Sequence, residues 1–122
     1  MPHFRTGNTQ IDGADYRGWF VGHFVKGDAM RRTGDVEIAW AVHPKGTTNG
    51  KFVANRTATT VSILIRGQFK ILFRTDLEAD DVLLEREGDY AMWPPLVEHD
   101  WLAEEDSVVL TVRWPSKPND QE

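Results

Sequence analysis

The sequence contains no cysteine among its 122 residues. Disulfide bonds, thiolate zinc sites, iron–sulfur clusters and a cysteine nucleophile are therefore excluded. Long apolar runs are also missing, and the first residues lack the basic-then-apolar order of a signal peptide. We therefore expect a cytoplasmic protein with no membrane partner.

The sequence has fewer basic than acidic residues. It contains 14 Lys and Arg and 19 Asp and Glu, which gives a formal net charge of -5. Such a surface repels a phosphate backbone, so we expect no nucleic-acid partner. The G-x-S-x-G, H-E-x-x-H, phosphate-loop and dinucleotide-binding motifs are absent as well. Few catalytic classes remain, and whether the protein is an enzyme stays open.

Apolar material is plentiful, since 40% of the residues are hydrophobic and 11% are aromatic. A chain of this length buries enough surface for one core, so we predict a single domain over residues 1–122. The core is expected at about 18–114. The polar ends, 1–15 and 115–122, are expected to be less ordered.

The apolar residues follow a period of two, which predicts strands, and no segment has a helical period. In "TVSILIRGQFKILF" the alternation runs on both sides of Gly67, which predicts a hairpin with a tight turn at Arg66 and Gly67. The acidic run 76–81 is expected to be a solvated hairpin loop. Further strands are expected at 18–25, 36–43, 82–87, 89–93, 99–103 and 108–114.

Seven or eight short strands at this spacing predict an all-β fold, either a sandwich or a small antiparallel β-barrel. Gly88, Pro94 and His99 then stand at the spacing G-x5-P-x4-H. This pattern resembles the second cupin motif, G-x5-P-x-G-x2-H. The resemblance covers residues 36–114 and implies the cupin double-stranded β-helix, a jelly-roll-like barrel that commonly forms a homodimer.

The first cupin motif, G-x5-H-x-H-x3,4-E-x6-G, is degenerate here. With Gly67 as its last glycine, Thr60 stands at the glutamate position. The histidine positions fall either on Val53 and Asn55 or on Ala54 and Arg56. These residue types do not provide the imidazoles and carboxylates that transition metals favour.

Of the metal ligands that the resemblance implies, only His99 remains. We therefore predict no cofactor and no firmly held metal. The alternative is a divalent transition metal, iron, manganese, nickel or zinc, bound by His99 and His43 with non-standard ligands.

The candidate ligand-binding residues centre on His99 and Trp101, which share one strand face that the resemblance turns into the barrel. Asn55 and Arg56 suit a carboxylate or hydroxylated molecule if they point inward. Trp40 is a further candidate, although such aromatics are more often core or subunit contacts. A structural role for His99 is the competing interpretation.

Three functions remain open. The favoured one is a protein that binds a small organic ligand inside its barrel, without a firmly held metal. The second is a metal-dependent enzyme of the oxygenase or isomerase type that uses His99. The third is an interaction or structural module with a filled barrel, which the aromatic content allows.

Overall fold

The computed structural model describes residues 3–75 and 79–122. Within them the chain forms eight strands after a short helical segment. The elements are α1 Thr9–Asp12, a 3-10 turn Ala14–Tyr16, β1 Trp19–Val21, β2 Glu37–His43, β3 Thr59–Arg66, β4 Phe69–Arg74, β5 Ala79–Leu84, β6 Tyr90–Trp93, β7 Glu98–Ala103 and β8 Ser107–Trp114.

The strands form two antiparallel sheets that face each other. The described residues give a five-stranded sheet in the order β1-β2-β8-β3-β6 and a three-stranded sheet in the order β5-β4-β7. Alternating residues of both sheets point between them, as expected for strands with one buried face. The predicted all-β, antiparallel fold is confirmed.

The hairpin predicted at Arg66 and Gly67 is wrong, because β3 and β4 belong to different sheets. β3 pairs with β6 and β8, whereas β4 pairs with β5 and β7. Gly67 does have the expected positive φ, at 102°. Its role is to let the chain pass close to a neighbouring loop, since an added Cβ would lie 2.3 Å from the carbonyl oxygen of Asp106.

Other boundaries also differ from the expectation. A helical turn over residues 9–16 precedes β1, which is shorter than the predicted strand 18–25. In the acidic run, residues 79–81 are exposed but lie in β5, paired with β4, whereas residues 76–78 lie outside the described residues. The solvated character was predicted correctly for residues 79–81, but their loop structure was not.

Asp120 connects the C-terminal segment 115–122 to the loop before β3. Asp120 is only 7% exposed. It accepts hydrogen bonds from the Thr57 backbone N–H at 3.0 Å, the Thr57 hydroxyl at 2.6 Å, the Asn55 amide at 3.2 Å and the Ala58 N–H at 3.2 Å. A carboxylate with four donors is well satisfied when buried.

The core fills one part of the space between the sheets. Its buried residues come from both sheets and alternate along the strands: Leu64, Phe69, Ile71, Leu84, Ala91, Trp93, Ala103 and Val109. The side chains of residues 59–64 therefore point inward at even positions and outward at odd ones. The same alternation determines which side chains point into the space between the two sheets.

The outer face of the five-stranded sheet is also apolar. Cross-strand pairing places outward residues of β2, β8, β3 and β6 in two rows. One row contains Ile38, Val112, Val61 and Met92, and the other contains Trp40, Leu110, Ile63 and Tyr90. Tyr90 and Met92 are 63% and 55% exposed.

None of the helices formed by the described residues has the length and apolar character that crossing a bilayer demands.

Candidate functional site: the barrel cavity

A cavity of about 250 Å³ lies between the two sheets, beyond the packed core. Both sheets contribute to its wall, because inward residues of β2, β3, β6 and β8 face those of β4 and β7. The residues that matter for its chemistry are His99, Trp101, Phe69, Trp93, Thr60 and Arg113. The interior of this barrel is therefore hollow in part and polar at specific points.

His99 is buried in the cavity wall, with 5% of its surface exposed. Its Nδ1 lies 3.1 Å from the carbonyl oxygen of Val97, and because that oxygen only accepts, Nδ1 carries the hydrogen. Burial lowers the pKa of His99, and the charge of Arg113 acts in the same direction. The ring is therefore neutral at neutral pH, with the lone pair on Nε2.

An aromatic wall lies on the side of the cavity formed by Trp101, Phe69 and His43. The His43 ring centroid is 4.2 Å from that of Trp101 and 5.3 Å from that of Phe69. Burial lowers the pKa of His43, so this imidazole is also neutral and packs as an apolar ring. Such a wall provides a flat surface for the carbon skeleton of a small molecule.

A row of polar side chains crosses the five-stranded sheet on its inner face. Thr60 in β3 pairs with Trp93 in β6 on one side and with Arg113 in β8 on the other. The buried Thr60 Oγ1, Trp93 Nε1 and Arg113 Nε have no hydrogen-bond partner among the described residues. The Arg113 guanidinium also lies 4.5 Å from the centre of the Trp19 ring.

The structure brings together two of the five sequence-predicted ligand residues, because His99 and Trp101 both line the cavity. Trp40 does not, since Ala39 and Ala41 are the inward residues of β2 and Trp40 points to the outer face. The sequence pattern of "VEIAWAVH" is apolar on both faces, so it left the orientation of Trp40 open.

Asn55 and Arg56 are not part of the cavity lining. Asn55 is 3% exposed, but its side-chain Nδ2 donates to the Asp120 carboxylate, and its side-chain Oδ1 accepts from Gln121 Nε2 at 3.3 Å. Arg56 is exposed and its Nη2 lies 2.7 Å from the Glu122 carboxylate. Both residues contact the C-terminal segment, which the sequence predicts to be less ordered.

Sequence reasoning missed Arg113 altogether, and it considered Thr60 only as a lost metal ligand. The alternation of inward and outward residues along each strand could have identified both residues. Arg113 has the same parity as Val109 and Thr111 on β8, and Thr60 has that of Ser62 and Leu64 on β3. Extending the period of two along each strand would have placed all of them on the inner face.

The residues at the cupin ligand positions do not fit a firmly held metal. Val53 lines the cavity beside His99, and the Thr60 hydroxyl is the only donor at the glutamate position. His43 and His99 both line the cavity, on different sheets. Residues 3–75 and 79–122 contain no group of three or more His, Cys, Asp or Glu that could hold a metal ion.

Comparison with solved structures finds the same architecture. KdgF from Halomonas sp. matches at 18% identity with a TM-score of 0.58, over 70% of this chain and 74% of that one. Oxalate oxidase matches at 15% identity with a TM-score of 0.60, over 71% of this chain but only 45% of that one.

An uncharacterized conserved protein with a double-stranded beta-helix domain from Klebsiella pneumoniae matches at 16% identity with a TM-score of 0.60, over 70% of this chain and 67% of that one. At these identities the likeness shows the fold alone. The chain therefore has the double-stranded β-helix fold of the cupins. No protein-family model and no curated protein matches the sequence.

Proposed function

We propose that this protein binds a small organic ligand inside its barrel, without a firmly held metal ion. The observation that supports the proposal is the cavity of about 250 Å³, whose wall combines aromatic rings with buried polar atoms. Binding sites for small molecules have this composition, with apolar walls and a few placed polar groups. A barrel with a fully packed interior is not expected to contain a cavity of this size.

The size of the cavity limits the ligand. Pockets for drug-sized molecules have volumes of roughly 300–1,000 Å³, and this cavity is smaller. A ligand with one ring or a short carbon chain fits such a volume. His99 contributes a neutral Nε2 acceptor, and Trp101 with Phe69 contributes the apolar contact surface.

The alternative of a metal-dependent oxygenase or isomerase is less well supported, because one imidazole beside Val53 and Thr60 is a poor donor set. The alternative of a filled-barrel interaction module conflicts with the cavity itself. A metal-free binding site is compatible both with the poor set of metal donors and with the presence of the cavity.

A fragment titration followed by two-dimensional NMR tests the proposal. Small aromatic and aliphatic compounds should shift the backbone amides around His99, Trp101 and Phe69. Trp101→Phe should weaken those shifts, whereas Trp114→Phe, a change at an exposed outer tryptophan, should not. Shifts confined to the outer face of the five-stranded sheet, or their absence with every compound, would contradict the proposal.

A further inference from the structure

The polar row on the inner face of the five-stranded sheet consists of hydrogen-bond donors. The Trp93 indole Nε1 and the Arg113 Nε are donors only, and the Thr60 hydroxyl both donates and accepts. Thr60 is 0% exposed and Trp93 is 6% exposed. All three line the same cavity, and their polar atoms have no partner among the described residues.

Buried polar groups in folded proteins are almost always hydrogen-bonded, because burial without a partner is costly. Three such atoms on adjacent strands are therefore unusual, and their backbone positions pair directly, Trp93 with Thr60 and Thr60 with Arg113. The missing partner must be an acceptor, because two of the three atoms are able only to donate.

Charge at the same place favours an anionic acceptor. Burial lowers the pKa of Arg113, yet arginine remains protonated at neutral pH. No carboxylate of the described part of the chain lies within 4 Å of its guanidinium. Arg17, which also lines the cavity, adds a second positive charge.

Three carboxyl groups act on this charge from a distance, and one of them is Asp120, whose negative charge raises the pKa of Arg113. Glu37 lies opposite Arg113 in the β2–β8 ladder, and burial raises the pKa of Glu37, which weakens it as a counter-ion. Asp100 lines the cavity from β7 in the facing sheet, and its Oδ1 accepts from the Trp101 N–H at 2.7 Å. Among the described residues, none of these carboxylates forms a direct ion pair with Arg113, so the guanidinium in the donor row is balanced only from a distance.

We infer that Arg113, Thr60 and Trp93 form a carboxylate-binding subsite, and that the ligand of the cavity is a small organic carboxylate. The inference rests on the proposed function, since it names the chemical class of the ligand for that cavity. A carboxylate presents two oxygens to a guanidinium and a neighbouring hydroxyl or indole N–H. Its carbon part then lies toward the aromatic wall of Trp101, Phe69 and His43.

Calorimetric titration with matched pairs of probes tests the subsite. The probes are acetate, benzoate and phenylacetate, each compared with its neutral amide, and inorganic phosphate as a second anion. The variant Arg113→Gln removes the positive charge, Trp93→Phe removes the indole N–H, and Thr60→Val removes the hydroxyl while keeping the shape of the side chain. Arg86→Gln is the control, because the Arg86 side chain is 85% exposed.

At least one carboxylate should bind the wild-type protein more tightly than its amide. Arg113→Gln should weaken that binding about ten-fold or more, and Thr60→Val and Trp93→Phe about three- to ten-fold, as expected for loss of a charged and of a neutral hydrogen bond. Arg86→Gln should leave the affinity unchanged. Without ligand, Thr60→Val should melt at or above the wild-type temperature, because it removes an unpartnered polar atom without changing the size of the side chain.

The possible failures are distinguishable. If amides bind as tightly as carboxylates, or Arg113→Gln has no effect, the subsite is overturned but the ligand-binding cavity stands. If inorganic phosphate binds with the same dependence on Arg113 and no carboxylate does, the carboxylate assignment is overturned. If neither the carboxylates nor the amides bind, the subsite and the proposed function fall together.

Discussion

Val53 and His99 lie opposite each other across an antiparallel bridge. The Val53 N–H donates to the His99 carbonyl at 3.0 Å, and the His99 N–H donates to the Val53 carbonyl at 2.9 Å. Val53 belongs to one of the two pairs of positions at which the sequence pattern allowed cupin histidines, and it lines the cavity. A side chain without donor atoms therefore stands beside the imidazole of His99.

We expect the stability of the protein to be independent of transition metals. A ligand at one hundred times its dissociation constant stabilises a fold by about 2.7 kcal/mol, which moves the melting temperature by several degrees. Thermal melts with added manganese, iron, nickel or zinc, and with a chelator, should all coincide with the untreated melt. Stoichiometric metal by elemental analysis that disappears in His99→Ala would contradict this prediction.

Stability should fall as the pH drops below about 6.5, the usual pKa of an unfolded-state histidine. Burial lowers the pKa of His99 and of His43 in the folded state, so the unfolded chain binds more protons just below that pH. Each group contributes at most about 1.4 kcal/mol per pH unit to the slope. Denaturant unfolding between pH 5 and 8 measures this dependence.

The variant His99→Gln should flatten that pH dependence, whereas His3→Gln, at an exposed position, should reproduce the wild-type curve. A wild-type stability that stays constant or rises as the pH falls from 7 to 5.5 would show that the histidine rings are not held neutral.

Asp120→Ala should reduce the free energy of unfolding by about 2–3 kcal/mol, because it leaves buried donors of the loop before β3 without their acceptor. Burial raises the pKa of Asp120, but the hydrogen bonds from Thr57 and Asn55 outweigh it, and the net pKa is lowered. Urea unfolding monitored by tryptophan fluorescence gives the change. Asp15→Ala, at an exposed position, is the control, and an equal effect of both would refute the assignment.

The homodimer expected from the cupin resemblance stays a prediction, and we place its interface on the outer face of the five-stranded sheet. The two apolar rows there include Tyr90 and Met92, which are 63% and 55% exposed. Contiguous apolar patches of this kind mark interaction surfaces. Light scattering should give twice the monomer mass for the wild type and the monomer mass for Tyr90→Lys with Met92→Lys.

Leu83→Lys serves as the control for the dimer, because Leu83 is 43% exposed on the other sheet. A wild-type protein that is monomeric at micromolar concentration would disprove the dimer. A dimer that survives both lysines would place the interface elsewhere.

The strands were predictable from the sequence because the period of two is strong in residues 59–74 and 107–114. Their pairing was not, since alternation fixes which residues share a face but not which strand lies beside it. The residues around Gly67 illustrate this limit. Two strands separated by a turn signal were predicted to pair, yet the chain passes there from one sheet to the other.

The candidate site was predictable where a motif marked it, as at His99, and where parity followed from that motif, as at Trp101. It was not predictable at Asn55 and Arg56, because their partners Asp120 and Glu122 lie more than sixty residues away in sequence. Arg113 carries no motif, and its relation to Thr60 exists only after β3 and β8 have paired.

The three members of the donor row come from strands β6, β3 and β8, which are neighbours in the sheet but not in the chain. An occupant of the cavity would therefore bridge segments that are far apart in sequence and whose contacts carry a loop-closure entropy cost. We expect occupancy to slow amide exchange throughout the barrel rather than at one loop, and to protect the whole domain from proteolysis as a single cooperative unit.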